Sequence, residues 1–269
     1  MTFPKYIKWF VKKHAVTFED GIPLTCYHLD YSFDEEVYNE WACHIRKHYE
    51  TDEELKESLS ITKMSAEEYL RTFVIPQKND SLGPTSRSND FTEIMISDLL
   101  EFIKGYTVPR CKQRNRSGKT QSEHGTDIIA YKYAKDINTP NKNDELLAIE
   151  VKAGLSSDKY SPIYAAVTDS HKYDEVRHAH TLNYYRKQLV LNNNLQQAKE
   201  ISRFQQKSEY DYIITYIAAA IISCNEIFGD IIFGIQGESL KLRQNDKVFL
   251  IHGDNLMNLA HDIYERCIK

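Results

Sequence analysis

The nine residues from Leu146 to Gly154 constrain the fold of this chain more than any other segment. Apolar side chains alternate along it, as they do on a β-strand, where successive side chains point to opposite faces. One face would be apolar, formed by Leu147, Ile149, Val151 and Ala153. The other would carry Leu146, Ala148, Glu150 and Lys152. A carboxylate and an ammonium group are therefore neighbours on one strand face, although an ordinary antiparallel strand with one solvated face shows the same alternation.

A second strand is predicted upstream, from Gly125 to Tyr133, because the run is β-branched and aromatic. It opens with Gly125, Thr126 and Asp127. The polar segment from Ala134 to Asp144 is typical of a long hairpin connection. If the two strands pair, Asp127 and Glu150 lie near one another.

A helix is predicted from Asp90 to Lys104, after a polar linker from Gln77 to Asn89. Its apolar stripe is formed by Phe91, Met95, Leu99 and Phe102. Glu93 lies in the first turn. It is either a catalytic carboxylate or the third position of a capping box that opens at Asp90.

A strand that passes into a loop is predicted from Tyr106 to Arg116. Cations occupy every second position and continue just beyond, and we call these five residues the basic row: Arg110, Lys112, Arg114, Arg116 and Lys119. A strand would present the first four on one face. Such a row could hold a phosphate backbone beside the acids, or it could be a solvated loop.

Composition excludes several classes of protein. The chain has 269 residues, 41% hydrophobic and 27% charged, as expected for one or two globular domains. Its five scattered cysteines suggest neither a disulfide framework nor a zinc knuckle, and a reducing cytoplasm fits best. The N-terminus lacks the apolar core of a signal peptide. The longest apolar stretch, Tyr212 to Cys224, is too short to span a bilayer, and its periodicity does not separate helix from strand.

Residues 1–84 are predicted to form an N-terminal α+β layer, and residues 85–269 a second domain. The first part contains an expected hairpin, Val16 to Tyr31, and a helix, Asp34 to Tyr49. The segment from Asp30 to Glu57 contains ten acidic and three basic residues. This acidic segment is either a solvated face or a surface that docks a basic partner. His44 and His48 have the spacing of a metal pair, but no third ligand is evident from the sequence.

The order of elements resembles the core of the PD-(D/E)XK nuclease superfamily. That core places a helix with an acid first, then three strands with an acid on the second and E-x-K on the third, then a helix. The resemblance covers about residues 85–205, with Thr126 where the superfamily often has proline. It implies an α/β (α+β) fold with a mixed central sheet flanked by helices. A strand from Lys247 to His252 and a helix from Asp254 to Cys267 would complete it.

The superfamily resemblance implies a metal-dependent DNA nuclease. Mg²⁺, or Mn²⁺ in its place, would be held by Asp127, Glu150 and the backbone carbonyl of Val151. Lys152 would position or help deprotonate the attacking water and stabilise the charge on the phosphate. Glu93 could contact a second metal directly or through water. The products would carry 5′-phosphate and 3′-hydroxyl ends. Degenerate superfamily members that only bind nucleic acid or scaffold a complex are the alternative.

More narrowly, the chain resembles the HamA family, the nuclease subunits of Hachiman anti-phage defence systems, which work with a HamB-like helicase. The related Abp system pairs a similar subunit with a helicase. A net charge of −5 gives little long-range attraction for DNA. We therefore expect a partner to hold the DNA, and the resemblance implies that this partner is the helicase. The acidic segment is the candidate docking surface. The residues do not distinguish DNA from RNA, or endonuclease from exonuclease.

Overall fold

The computed structural model of the protein describes residues 3–13, 16–18, 23–114, 116–121, 125–156, 161–173, 175–224, 240–243 and 246–269. Within these residues seven strands form one sheet in the order β1-β3-β7-β6-β5-β4, with β2 paired to β3. The strands are β1 (Phe10–Lys12), β2 (Val16–Thr17), β3 (Pro23–Leu29), β4 (Ile128–Lys132), β5 (Glu145–Gly154), β6 (Ile213–Ser223) and β7 (Lys247–Gly253). The sheet is mixed: β5, β6, β7 and β3 run parallel, while β4 and β1 are antiparallel to their neighbours.

Helices cover both faces of the sheet. They are α1 (Glu35–Tyr49), α2 (Asp52–Thr62), α3 (Ala66–Tyr69), α4 (Gly83–Asp98), α5 (Ser161–Ser170), α6 (Glu175–Leu191), α7 (Leu195–Phe204) and α8 (Leu256–Arg266). A 3₁₀ turn precedes β1 (Lys5–Trp9), and π turns extend α3 (Leu70–Val74) and α4 (Leu99–Ile103). None of the helices within the described ranges is both long and apolar enough to cross a membrane. The predicted mixed α/β class with flanking helices is confirmed.

Strand β5 is buried on both faces. Leu147 and Ile149 pack into a core with α1, α4 and α8, whereas Leu146 and Ala148 pack with α6 and α7. The predicted alternation of faces is confirmed, but neither face is solvated along this part of the strand. The reason is topological: a strand with a parallel neighbour lies where crossover helices cover both sides of the sheet.

The start of α4 differs from the sequence prediction. The helix begins at Gly83, with Pro84 in its first turn, so the predicted linker from Gln77 to Asn89 ends earlier than expected. Asp90 lies inside the helix and does not cap it. A side chain at Gly83 would place Cβ 1.7 Å from the carbonyl oxygen of Gln77. The close approach of these two backbone segments therefore fixes where α4 begins.

The predicted strand from Tyr106 to Arg116 is wrong for the described residues of that segment. Only Thr107 forms a bridge, to Tyr131 of β4. The cations that follow do not alternate on a pleated face, because each side chain turns towards a carboxylate of another element. Ion pairs with residues that are remote in sequence therefore outweigh the weak strand preference of this segment.

Most other predicted elements are confirmed. Asp34 caps α1 through the amides of Glu36 and Val37. Strands β2 and β3 form the expected N-terminal hairpin, although residues 19–22 lie outside the described part. The ambiguous stretch that ends at Cys224 is strand β6. The division into two domains at residue 84 stays a prediction; within the described residues β3 joins the same sheet as β7.

Candidate active site

Two predicted acids meet where β4 begins. Ile128 of β4 pairs with Ile149 of β5, so Asp127, one residue before the strand, lies opposite Glu150. The amide N–H of Val151 donates to Asp127 Oδ2 over 2.8 Å. The predicted proximity of Asp127 and Glu150 is therefore confirmed, and the backbone of β5 orients the Asp127 carboxylate.

A loop from the basic row connects this pair to helix α4. Lys112 Nζ donates to Asp127 Oδ1 over 3.3 Å, and its side chain is only 5% exposed. The next residue, Gln113, donates from Nε2 to Glu93 Oε2 over 3.1 Å. Two consecutive loop side chains thus bind two of the acids, Asp127 at the start of β4 and Glu93 on α4. Glu93, Asp127 and Glu150 each favour the charged form of the Lys112 ammonium.

Burial and the neighbouring charge of Asp127 disfavour the ionised forms of Glu93 and Glu150. Burial and then the charge of Asp127 raise the pKa of Glu150 to about 8, although Arg177 and Lys112 oppose the shift. Burial also raises the pKa of Glu93 to about 8; Lys112 opposes this and Asp127 adds to it. Burial alone would lower the pKa of Lys112, but Glu93 and Asp127 outweigh it and raise the pKa. Glu93 and Glu150 therefore keep their protons to a higher pH than a solvated glutamate does, and a bound cation would favour their ionised forms.

Two helices on the other side of the sheet supply partners for the E-x-K strand. Arg177 of α6 donates to Glu150 Oε1 over 2.8 Å. Lys152 forms an ion pair with Asp169 of α5, and its side chain remains 34% exposed. Sequence reasoning did not identify Arg177 or Asp169 as part of the site. No local signal could have found them, because they reach β5 only through the packing of α5 and α6 on the sheet.

The basic row is largely a buried ion-pair network. Its pairs are Arg110 with Asp98 and Glu101, Lys112 with Asp127, Arg114 with Glu54, Arg116 with Asp90, and Lys119 with Asp80. Arg116 is bidentate on Asp90, with both N–O distances 2.7 Å. The structure thus gives every member of the row a carboxylate partner: Asp127, just before β4, for Lys112, and residues of the N-terminal part of the chain, of α4 or of the π turn after it for the others.

The donor set of Glu93, Asp127 and Glu150 fits a hard divalent cation by its chemistry. Carboxylate oxygens are preferred ligands of Mg²⁺, and a cation would favour the ionised form that burial disfavours. These three acids are not a compact cluster, however. In the described part of the chain, the one set of three histidine, cysteine or acid ligand atoms that all lie within 4.8 Å of one another is formed by His44, His48 and Asp98. Asp98, which is remote in sequence, thus adds a third ligand-type side chain to the histidine pair that the sequence alone does not make evident.

Comparison with known proteins gives a match over nearly the whole chain. The model of the HamA family covers residues 4–267. No curated protein matched the chain. The matched range includes all four predicted catalytic side chains, the basic row, and the α1 and α4 helices.

Proposed function

We propose that this chain, which belongs to the HamA family, is a metal-dependent deoxyribonuclease that serves as the effector subunit of a Hachiman anti-phage system and works with a helicase. The family match supports a role in Hachiman defence. The nuclease activity rests on one observation: Asp127 and Glu150 meet on paired strands, Lys112 and Gln113 connect them to Glu93, and Lys152 lies two residues beyond Glu150.

The proposed cofactor is Mg²⁺, with Mn²⁺ able to replace it. Asp127 and Glu150 would hold the ion, with the Val151 carbonyl as a further ligand and Glu93 at a second position. A bound ion would polarise the scissile phosphate and lower the pKa of the attacking water. The raised pKa values of Glu93 and Glu150 support this assignment, since a divalent cation would stabilise the carboxylates that burial and the charge of Asp127 destabilise.

The side chains around the three acids have separate proposed roles. Lys152 positions the attacking water and stabilises negative charge that develops on the phosphate. Asp169 holds the Lys152 ammonium in place from α5, and pairing with Asp169 raises the pKa of Lys152 although burial opposes this. Arg177 orients Glu150. Lys112 supplies positive charge to the acids, and Gln113 holds the Glu93 carboxylate of α4 close to the strand pair.

Nucleic acid and the helicase are the proposed partners. The basic row is the proposed phosphate contact, through the faces of Arg114 and Lys119 that remain partly exposed. The acidic segment, which α1 and α2 largely present, is the proposed docking surface for the helicase. Because each cation of the row has a carboxylate partner within the chain, free protein should hold DNA weakly. A partner that holds DNA would raise its local concentration at the site.

The test is a cleavage assay with plasmid and linear DNA, with the chain alone and with the candidate helicase, in Mg²⁺ or in EDTA. Glu150→Gln and Lys152→Ala should each abolish cleavage. Glutamine is preferred to alanine at position 150 because Glu150 is 4% exposed and bonded to Arg177, so truncation would leave a buried gap. Lys132→Ala and Glu145→Gln are the matched controls, since both lie at the far end of the β4–β5 pair.

Control variants should cleave like the wild type. If Glu150→Gln and Lys152→Ala also cleave at the wild-type rate, the active-site assignment is wrong. If no protein cleaves under any condition but the chain and helicase form a stable complex, the alternative applies, and the chain binds nucleic acid or scaffolds the complex. Cleavage at full rate by the isolated chain at physiological salt would refute the need for a partner.

A further inference from the structure

A second group of ligand-type side chains lies between α1 and α4. His44 and His48 are one helical turn apart on α1, and Asp98 ends α4. His44 Nε2 lies 3.0 Å from Asp98 Oδ1 and 3.1 Å from His48 Nε2. Asp98 is fully buried and His48 is enclosed by protein, while the His44 side chain is 21% exposed. The three ligand atoms all lie within 4.8 Å of one another, next to the partly exposed ring of His44.

Hydrogen bonding alone accounts poorly for these contacts. An imidazole Nε2 carries either one proton or one lone pair in the ring plane. If His44 Nε2 donates to Asp98, it has no lone pair to accept from His48. If it accepts from His48, its lone pair faces a carboxylate oxygen. One ring nitrogen therefore cannot form both linear hydrogen bonds, although both distances are short.

The spacing suits coordination of a metal ion. Two ligands at about 2.0–2.1 Å from a tetrahedral zinc ion lie about 3.3 Å apart. The two measured separations, 3.0 and 3.1 Å, are close to that edge length. Two histidines four residues apart on a helix present both rings on one face, which is a recurrent zinc-binding arrangement. A third protein ligand from another helix leaves one position for water.

The surroundings of Asp98 support the same assignment. Tyr6 donates to Oδ2 over 2.7 Å, and Arg110 donates to Oδ1 over 2.7 Å, so the carboxylate is oriented by other side chains, as metal-bound carboxylates are. Arg110 also pairs with Glu101 over 2.7 Å. One guanidinium therefore faces two carboxylates, and the group retains a negative charge that a cation would neutralise.

We propose that His44, His48 and Asp98 bind one zinc ion, with water as the fourth ligand, and that this ion fastens α1 to α4. The site differs from the candidate active site in its ligands, which are two imidazoles and one carboxylate. Imidazole ligands favour zinc and other first-row transition metals over Mg²⁺. The metal would lock the helix that carries Glu93 to the N-terminal helix that forms part of the acidic segment.

The experiment uses the full-length chain, stripped with chelator and dialysed into chelator-free buffer. Calorimetry with ZnCl₂ should give one tight site per chain, and Co²⁺ should produce the intense visible bands of a tetrahedral nitrogen–oxygen site. His44→Gln should weaken Zn²⁺ binding at least tenfold, because it removes the most exposed ligand with little loss of packing. Tyr6→Phe, which removes one hydrogen bond to Asp98, should weaken it about tenfold. An excess of Mg²⁺ should not displace the zinc.

Two control variants isolate the site. His28→Gln removes a half-buried histidine of β3 that stacks on His252, far from the ligand set. Glu150→Gln alters only the candidate active site. Both should bind one zinc ion with wild-type affinity. The wild-type Co²⁺ spectrum keeps the test decisive even if His44→Gln unfolds.

Three outcomes would overturn the proposal. The wild-type chain could bind neither Zn²⁺ nor Co²⁺, in which case the three side chains form only a hydrogen-bonded cluster. His44→Gln and His28→Gln could bind zinc equally well, which would place the ion elsewhere. Anaerobic Fe²⁺ could bind more tightly than Zn²⁺ with an octahedral signature, which would replace the zinc assignment by a two-histidine, one-carboxylate iron site.

Discussion

Replacement of Glu150 by glutamine should remove part of the pH dependence of stability in the metal-free protein. Glu150 is 4% exposed, and its pKa is raised to about 8, first by burial and then by Asp127. In the unfolded chain the same carboxyl ionises near 4.5. Glutamine has the shape of the protonated acid and can still accept from Arg177, so the folded structure should change little.

The sign of the effect follows from proton binding. Between pH 4.5 and about 8 the folded state holds a proton at Glu150 that the unfolded chain has released. The free energy of unfolding therefore falls as pH rises through this window, by up to about 1.4 kcal/mol per pH unit for one group. Between pH 5.5 and 7.5 the wild type should lose up to about 3 kcal/mol more than Glu150→Gln.

The assay is urea unfolding in EDTA at pH 5.5, 6.5 and 7.5, with the difference between the two proteins plotted against pH. Buried histidines titrate equally in both proteins and cancel in this difference. Glu53→Gln, on the exposed face of α2, is the matched control and should leave the wild-type slope unchanged. Asp127→Asn should partly reduce the fall of the unfolding free energy with pH, because Asp127 raises the pKa of both Glu150 and Glu93.

Equal slopes for the wild type and Glu150→Gln would refute the reasoning, because they would show that Glu150 is ionised in the folded state throughout this range. A second readout follows from the same argument. Mg²⁺ should raise the melting temperature of the wild type more at pH 7.5 than at pH 5.5, since an ionised carboxylate is the form that binds it. A shift that does not depend on pH would contradict the proposed metal role of this acid.

Three further predictions concern α4 and its partners. Gly83→Ala should destabilise the fold by about 1–3 kcal/mol or more in a urea titration, because the new Cβ would lie 1.7 Å from a backbone oxygen. Gly118→Ala is the control and should be nearly neutral, because its nearest atom would lie at 3.5 Å. Arg116→Gln should cost about 3–5 kcal/mol in chemical denaturation, since it leaves the buried Asp90 carboxylate without its bidentate partner; a cost below 1 kcal/mol would mean that water replaces the guanidinium. Asp127→Asn should weaken Mg²⁺ or Mn²⁺ binding at least about tenfold in calorimetry, and unchanged affinity would assign Asp127 another role.

Local patterns determined the elements that depend on backbone preference and on the spacing of apolar residues. The two-residue period of β5 fixed which side chains share a face, and a polar connection of hairpin length fixed which strand it pairs with. Together they placed Asp127 opposite Glu150. Asp34 before an apolar-periodic run likewise determined where α1 begins.

Sequence patterns failed where several local structures have similar free energies. The stretch that ends at Cys224 is apolar throughout, so its periodicity cannot separate helix from strand; only its place between β5 and β7 decides. The start of α4 was misplaced for a related reason. Asp90 has the form of a helix cap, but its carboxylate is bonded to Arg116 and Tyr49, which are remote in sequence.

Tertiary structure alone decided the charge partners of the candidate sites. The basic row has the spacing of a strand that faces phosphate, yet packing brings a carboxylate within reach of each cation, and a buried charge requires such a partner. Arg177 and Asp169 join the E-x-K strand, and Asp98 joins His44 and His48, for the same reason. Residue type and local spacing specified the acids, the start of α1 and the strand faces of this protein. The ion-pair partner of each charged side chain depends on contacts between segments that are distant in sequence. Only the packing of the helices on the sheet specifies those contacts.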